Sequence, residues 1–175
     1  MRRIELLTTG GTIEKVYDEA AGTLVNRGSI VQRMLRRLRL EDTDIRLREV
    51  LSKDSLHITD QERMTIVEAV RAAASRVPPP SGIVVLHGTD TLCQTGELLL
   101  KSLTNPVCPI VLTGAMRPFE MKQSDAIQNL TEAILAASLV SPGVYVAAHG
   151  RVLMFPGVTK DRDRGTFVEN RPRRV

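Results

Sequence analysis

Ile83-Val84-Val85-Leu86, followed at once by His87-Gly88-Thr89-Asp90-Thr91, is the stretch on which the fold turns. Four apolar residues in a row leave no polar face, and a short strand of this kind is covered on both sides. Pro78-Pro79-Pro80-Ser81-Gly82 breaks the chain just before it, and a leucine-rich helical stretch, Leu92 to Leu103, follows the polar loop. The same succession occurs elsewhere. Ile4 to Thr8 runs into Thr8-Thr9-Gly10-Gly11-Thr12. Pro109-Ile110-Val111-Leu112 runs into Thr113-Gly114-Ala115-Met116-Arg117-Pro118, with a helix expected over residues 124–139.

The intervening segments fit the same scheme. Residues 14–27 are polar and contain glycine, as in a mobile loop. Ser29 stands where it would cap a helix carrying Ile30, Met34, Leu35 and Leu38. Ile45 and Leu47 alternate with charges, as in a strand. Thr59-Asp60-Gln61-Glu62 has the spacing of a capping box, and the helix after it is expected to show Met64, Val67, Val70 and Ala74 on one face. Val144 to Ala147 reads as a last buried strand, and Arg151 to Phe155 as the start of a hairpin. Strands and helices alternate and the central strands are apolar throughout. The expected fold is α/β: a Rossmann-like or flavodoxin-like parallel sheet with helices on both faces and a C-terminal hairpin.

The chain has 175 residues, enough for one domain with a substantial core. Residues 1–170 are read as that single domain, and 171–175 as a basic tail. The net charge of +4 is concentrated in Arg33, Arg36, Arg37 and Arg39 and in Arg171, Arg173 and Arg174. Aromatic residues make up 3% of the chain and no reader motif accompanies the arginines, so a solvated helix face is preferred to a nucleic-acid surface. Cys93 and Cys108 lie in no CxxC motif; free thiols fit a reducing, cytoplasmic setting. The N-terminal apolar stretch is too short for a signal peptide, and no apolar run approaches the ~20 residues of a membrane span. His57, His87 and His149 lack ligand partners at metal spacing, so neither metal nor other cofactor is expected.

In parallel sheets of this type, ligands bind beyond the carboxyl ends of the strands. The three Gly- and Thr-rich loops are therefore expected to converge there. Tight turns alone would explain Gly10 and Gly11, but not the repeated threonines. G-x-x-x-x-G-K-[ST], G-x-G-x-x-G in the first loop and G-x-S-x-G are all absent, which removes a P-loop, a dinucleotide fingerprint and a hydrolase elbow.

Thr8-Thr9-Gly10-Gly11-Thr12-Ile13 and His87-Gly88-Thr89-Asp90-Thr91 resemble the two signature motifs of the L-asparaginase/glutaminase family. Asp54-Ser55 resembles the family's substrate-binding turn. Gly114-Ala115-Met116-Arg117-Pro118, with Ser124-Asp125 and Asn129, resembles its third-strand segment, and Val158-Thr159-Lys160 its lysine motif. The resemblance covers nearly the whole chain, but only the N-terminal half of a typical member. It implies hydrolysis of L-asparagine to L-aspartate and ammonia by acyl transfer, with glutamine a slower substrate. Thr12 is then the nucleophile and Thr89, Asp90 and Lys160 the proton-handling group, with Tyr17 in the loop beside Thr12. Gly11, Asp54, Ser55, Gly88 and Ala115 bind substrate, and the amides of Gly11, Thr89 and Ala115 are candidates for the oxyanion.

Each residue also has a plainer role. Thr12 could bond its own backbone, Thr89-Asp90 could cap a helix, and Lys160, among Asp161, Arg162, Asp163 and Arg164, could be solvated. The resemblance also departs from the family at several points. The acidic residue that a neighbouring subunit's second domain supplies has no counterpart, and Glu14, Glu19 and Glu169 are the candidates to replace it. Tyr17 lies earlier than the family tyrosine, which falls at Gly22-Thr23-Leu24. Leu56 and His57 stand where polar residues usually follow the serine. Two other readings compete: a catalytically silent domain binding asparagine or aspartate, and an ammonia-supplying subunit of an amidotransferase. A homo-oligomer, dimer or tetramer, is expected, with no nucleic-acid or membrane partner.

Overall fold

The computed structural model describes residues 1–170; the basic tail expected at 171–175 lies outside them. The strands are β1 (Arg2–Gly10), β2 (Val16–Asp18), β3 (Thr23–Val25), β4 (Thr43–Lys53), β5 (Gly82–Leu86), β6 (Pro109–Thr113), β7 (Gly143–Ala148), β8 (Arg151–Met154), β9 (Val158–Asp161) and β10 (Thr166–Glu169). The helices are α1 (Val31–Leu35), α2 (Asp60–Ala74), α3 (Leu92–Ser102) and α4 (Ala126–Ala136). Six strands form one sheet in the order β4-β1-β5-β6-β7-β8. All neighbours are parallel except the β7–β8 hairpin.

Strand alternation divides the core in two. Leu7, Ile83, Val85, Ile110, Leu112, Val144 and Val146 face α2 and α3. Ile4, Leu6, Val84, Leu86, Val111, Tyr145 and Ala147 face α1 and α4. Every apolar residue of β5 is thus buried, as its unbroken composition requires. The flavodoxin-like order reverses direction at β1, between β4 and β5, and in such sheets the crevice opens at that point. The loops after β1 and β5 both end there.

Three local expectations are corrected. Residues 14–27 hold an antiparallel hairpin, β2 against β3, rather than an irregular loop. Val16, Tyr17, Thr23, Leu24 and Val25 favour extended backbone, and Asp18 closes the turn by accepting from the amides of Ala20 and Ala21. Helix α1 is only Val31–Leu35, and Ser29 accepts from the Val31 amide at 3.3 Å instead of capping a long helix. The capping box at Thr59 and Glu62 is present, but α2 buries Ile66, Val67, Ala69, Val70 and Ala73 and leaves Met64 exposed. Arg33 of α1 pairs with Glu120, and Arg37, just beyond the helix, lies over the Phe119 ring, so these two arginines are committed within the chain.

The C-terminal hairpin β9–β10 is anchored by apolar burial. The Phe155 ring occupies the space that a Cβ at Gly96 of α3 would need, and Val158 and Phe167 join the same core. Glu97 accepts from the Gly157 amide at 2.8 Å. Because strand side chains alternate, Lys160 shares the inward face of Val158.

Candidate active site

Four loops meet at the carboxyl ends of β1, β4, β5 and β6, and they meet at their glycines. A Cβ at Gly11 would collide with the backbone of Gly88, one at Gly88 with the Ser55 side chain, and one at Gly114 with the His87 carbonyl. Gly88 is therefore demanded by close approach, and Gly11 by close approach and by its φ of 78°.

Thr12 opens a one-turn 3-10 helix, Thr12–Glu14, directly after Gly11, and is half-buried. Among the described residues its hydroxyl makes no hydrogen bond, so it is not spent on local backbone. Opposite it stands the loop after β5. Lys160 Nζ donates to Thr89 Oγ1 at 2.7 Å and to Asp90 Oδ1 at 2.9 Å. The N-cap of α3 is Thr91, so neither Thr89 nor Asp90 is used as the cap. The Lys160 side chain is 16% exposed, far from the solvated state its charged neighbours suggest. Arg162 makes a second, outer contact to Asp90 at 3.1 Å. Nearby, burial pushes the Cys93 thiol up to about 11, so no thiolate competes as a nucleophile at neutral pH.

The predicted substrate-binding residues separate into two kinds. Asp54 is committed: Lys15 bonds it at 2.6 Å and the Leu56 amide at 3.1 Å. Partial burial pushes its carboxyl up, but these two partners outweigh burial and hold it below the ordinary carboxylate range. Ser55 Oγ is uncommitted, buried against Gly88 with no hydrogen-bond partner among the described residues. The Gly11 amide donates to the Lys53 carbonyl at 2.8 Å. It is therefore not free for an oxyanion, which corrects the expectation, whereas the amides of Thr89 and Ala115 have no backbone partner among the described residues. The loop bearing Ala115 is held by Asp125, which accepts from the amides of Met116 and Arg117, and by Asn129, which donates to the Gly114 carbonyl at 2.9 Å. Tyr17, on β2, is 59% exposed and its hydroxyl is unbonded among the described residues. The hairpin touches the turn elsewhere: Asn26 Nδ2 donates to the Gly11 carbonyl at 3.0 Å.

Beneath the site lies a network that the motifs do not announce. Arg63 of α2, buried, donates to Thr95 Oγ1 at 2.5 Å. Thr95 Oγ1 is 2.9 Å from His87 Nε2, and His87 Nδ1 is 2.9 Å from the Gly88 carbonyl. A carbonyl can only accept, so Nδ1 carries the proton and Nε2 accepts from Thr95. Burial pushes the imidazole down to about 4, which keeps it neutral. Thr91 Oγ1 donates to the Ser55 carbonyl at 3.0 Å, which joins the loops after β4 and β5. An arginine at the fourth position of a capped helix carries no sequence signal for such a role.

These features coincide with a known family. The family described as Asparaginase, N-terminal, matches residues 3–166, and the chain belongs to the asparaginase family. It is 36% identical over 165 residues to the L-asparaginase of Thermococcus kodakarensis, covering 93% of this chain and 49% of that one. It is 30% identical to a component of the glutamyl-tRNA(Gln) amidotransferase of Methanococcus vannielii, over 87% of this chain and 35% of that protein. The solved structure of the thermostable Thermococcus kodakarensis L-asparaginase superposes with a TM-score of 0.85 at 33% identity, covering 97% of this chain and 52% of that one. The L-asparaginase I of Vibrio cholerae shares the fold, with a TM-score of 0.84 at 24% identity, covering 98% of this chain and 52% of that one. The chain spans about half the length of the L-asparaginases it matches.

Proposed function

We propose that this chain carries the catalytic half of an L-asparaginase-type amidohydrolase. The observation that carries the reading is the Thr89–Lys160–Asp90 group, hydrogen-bonded within 2.9 Å, on a loop that touches the Thr12 turn through Gly11 and Gly88. In this reading Thr12 Oγ attacks the side-chain amide carbon of asparagine. Lys160 enters the reaction as the free amine and takes the Thr12 proton by way of the Thr89 hydroxyl, then passes it to the leaving nitrogen, which departs as ammonia. Water, deprotonated by the same group, cleaves the acyl ester and restores Thr12. The Thr89 and Ala115 amides hold the oxyanion, and Ser55 Oγ, buried and unpaired, binds substrate. Tyr17 acts from the β2–β3 flap after it closes over Thr12. Glutamine is a slower substrate.

Ammonia release by the purified protein, measured with L-asparagine and L-glutamine as substrates, tests this reading. Release from asparagine at several times the rate from glutamine is the expected result. No release from either amide, with aspartate still binding by calorimetry, would instead identify a silent binding domain. The amidotransferase relatives favour one further reading, an ammonia-supplying subunit; activity that rises only with a co-purifying second polypeptide would establish it.

Assembly belongs to the same proposal. Asp90 and Lys160 retain 28% and 16% side-chain exposure, and acyl transfer is favoured where water is excluded. A second copy covering the crevice gives a dimer or a dimer of dimers, in a cytoplasmic setting. Sedimentation at micromolar concentration is expected to show a dimer or tetramer; a fully active monomer would refute this.

A further inference from the structure

Glu14 is a buried ionisable group that the chemistry above leaves unused. It ends the 3-10 turn that Thr12 begins and is 1% exposed. Its Oε2 accepts from the Gly10 amide at 3.0 Å, while Oε1 has no hydrogen-bond partner among the described residues. The side chain thereby closes a ring from residue 10 to residue 14, around Gly10 and Gly11 at φ of 93° and 78°. The Ser29 hydroxyl and Ile30 amide face the carboxyl from the start of α1, and the Glu49 carboxylate faces it from β4. Lys15, next in sequence, is turned to Asp54, and Lys53, at the end of β4, to Glu62, so both nearby lysines are paired elsewhere. Burial therefore dominates and pushes the carboxyl up to about 7; Ser29 and Gly10 offset part of it, and Glu49 adds to it. An apolar side chain would fill this position without that penalty, and a buried ionisable group bonded into the turn that begins at Thr12 points to use.

We propose that Glu14 is the positioning residue of the reactive turn, holding Gly10, Gly11 and Thr12 in place as a carboxylate and loosening them when protonated. The proposal rests on Thr12 being the nucleophile. A carboxylate accepts the Gly10 N–H in a charge-assisted bond roughly twice as strong as a neutral one. Protonation removes the charge and weakens that bond. Stability and turnover then respond to pH in opposite directions. The folded-state value lies above the unfolded one, so between about 4.5 and 7 the folded chain holds more protons than the unfolded. Glu14's contribution to stability is greatest at low pH and falls as pH rises through that window, while turnover climbs.

The test is Glu14→Gln, which keeps the size and the acceptor but removes the charge. Thermal unfolding at pH 5 and pH 8.5 and the pH profile of kcat/KM are compared with wild type. At pH 8.5 the variant is expected to melt on the order of 5 °C above wild type and to turn over about tenfold more slowly. At pH 5 both differences shrink, and the inflection near 7 is lost from its kcat/KM profile. A melting difference independent of pH would overturn the proposal, since Glu14 would then not titrate in this range. A pH-dependent melting difference with an unchanged kcat/KM profile would also overturn it, by separating the charge from the turn. Wild type releasing no ammonia would defeat the asparaginase reading and the coupling to turnover together; the melting series still reports the titration and so identifies which premise failed. If the variant does not fold, a carbon-13 titration of the wild-type glutamate carboxyls decides, and a Glu14 midpoint below 5 overturns the proposal.

Discussion

Thr12→Ala is expected to lower ammonia release from asparagine by about three orders of magnitude or more, while the melting temperature stays within a few degrees of wild type. The two halves of this result have separate causes. The hydroxyl is half-buried and makes no hydrogen bond among the described residues, so its removal leaves no orphaned partner and only a small void. The turn itself is held by other atoms: the Gly11 amide on Lys53, the Gly11 carbonyl on Asn26, and the Lys15 amide on the Thr12 carbonyl. The chemical loss is large because no neighbouring group takes over the attack; the Cys93 thiol stays protonated at neutral pH. Thr12→Ser, which keeps the nucleophile, is expected to retain most of the rate. Near-normal turnover in the alanine variant would move the nucleophile to Thr89.

Lys160→Met is expected to reduce kcat by about 100- to 10,000-fold with a much smaller change in KM. Methionine preserves most of the aliphatic stem, so the packing of β9 beside Val158 is kept and the ammonium alone is lost. Asp90 retains a cation through Arg162, so its carboxylate is not left unpaired. The Thr89 hydroxyl loses its 2.7 Å partner, and with it the path for the nucleophile's proton. Partial recovery of kcat with added primary amines would mark the missing function as proton transfer. A kcat within a few-fold of wild type would show that Lys160 only pins the hairpin to the loop after β5.

The central strands, the order of elements and the loops at the strand ends were legible because each is written in contiguous residues. A run such as Ile83–Leu86 is apolar on both faces wherever it sits, and Pro and Gly mark its ends. The capping box was legible for the same reason: Thr59 and Glu62 meet within one turn. The hairpin over 16–25 was hidden because its strands are three residues each, too short for alternation to show. The face of α2 was misread by one position because Arg63, a charged residue, is buried and Met64 is not.

The chain's own order of residues determined which hydroxyls, carboxylates and glycines were available and which strand end each would occupy. Only the tertiary structure decided which of them are free to act. Asp54 and the Gly11 amide are tied to Lys15 and Lys53, whereas Ser55 Oγ remains unpaired, and their sequence context does not distinguish them. Lys160 reaches Thr89 across 71 positions because Phe155 fills the gap over Gly96 and brings β9 to the crevice. Glu14 is buried because the turn folds it under Gly10, where desolvation, a property of surroundings and not of sequence, resets its proton affinity.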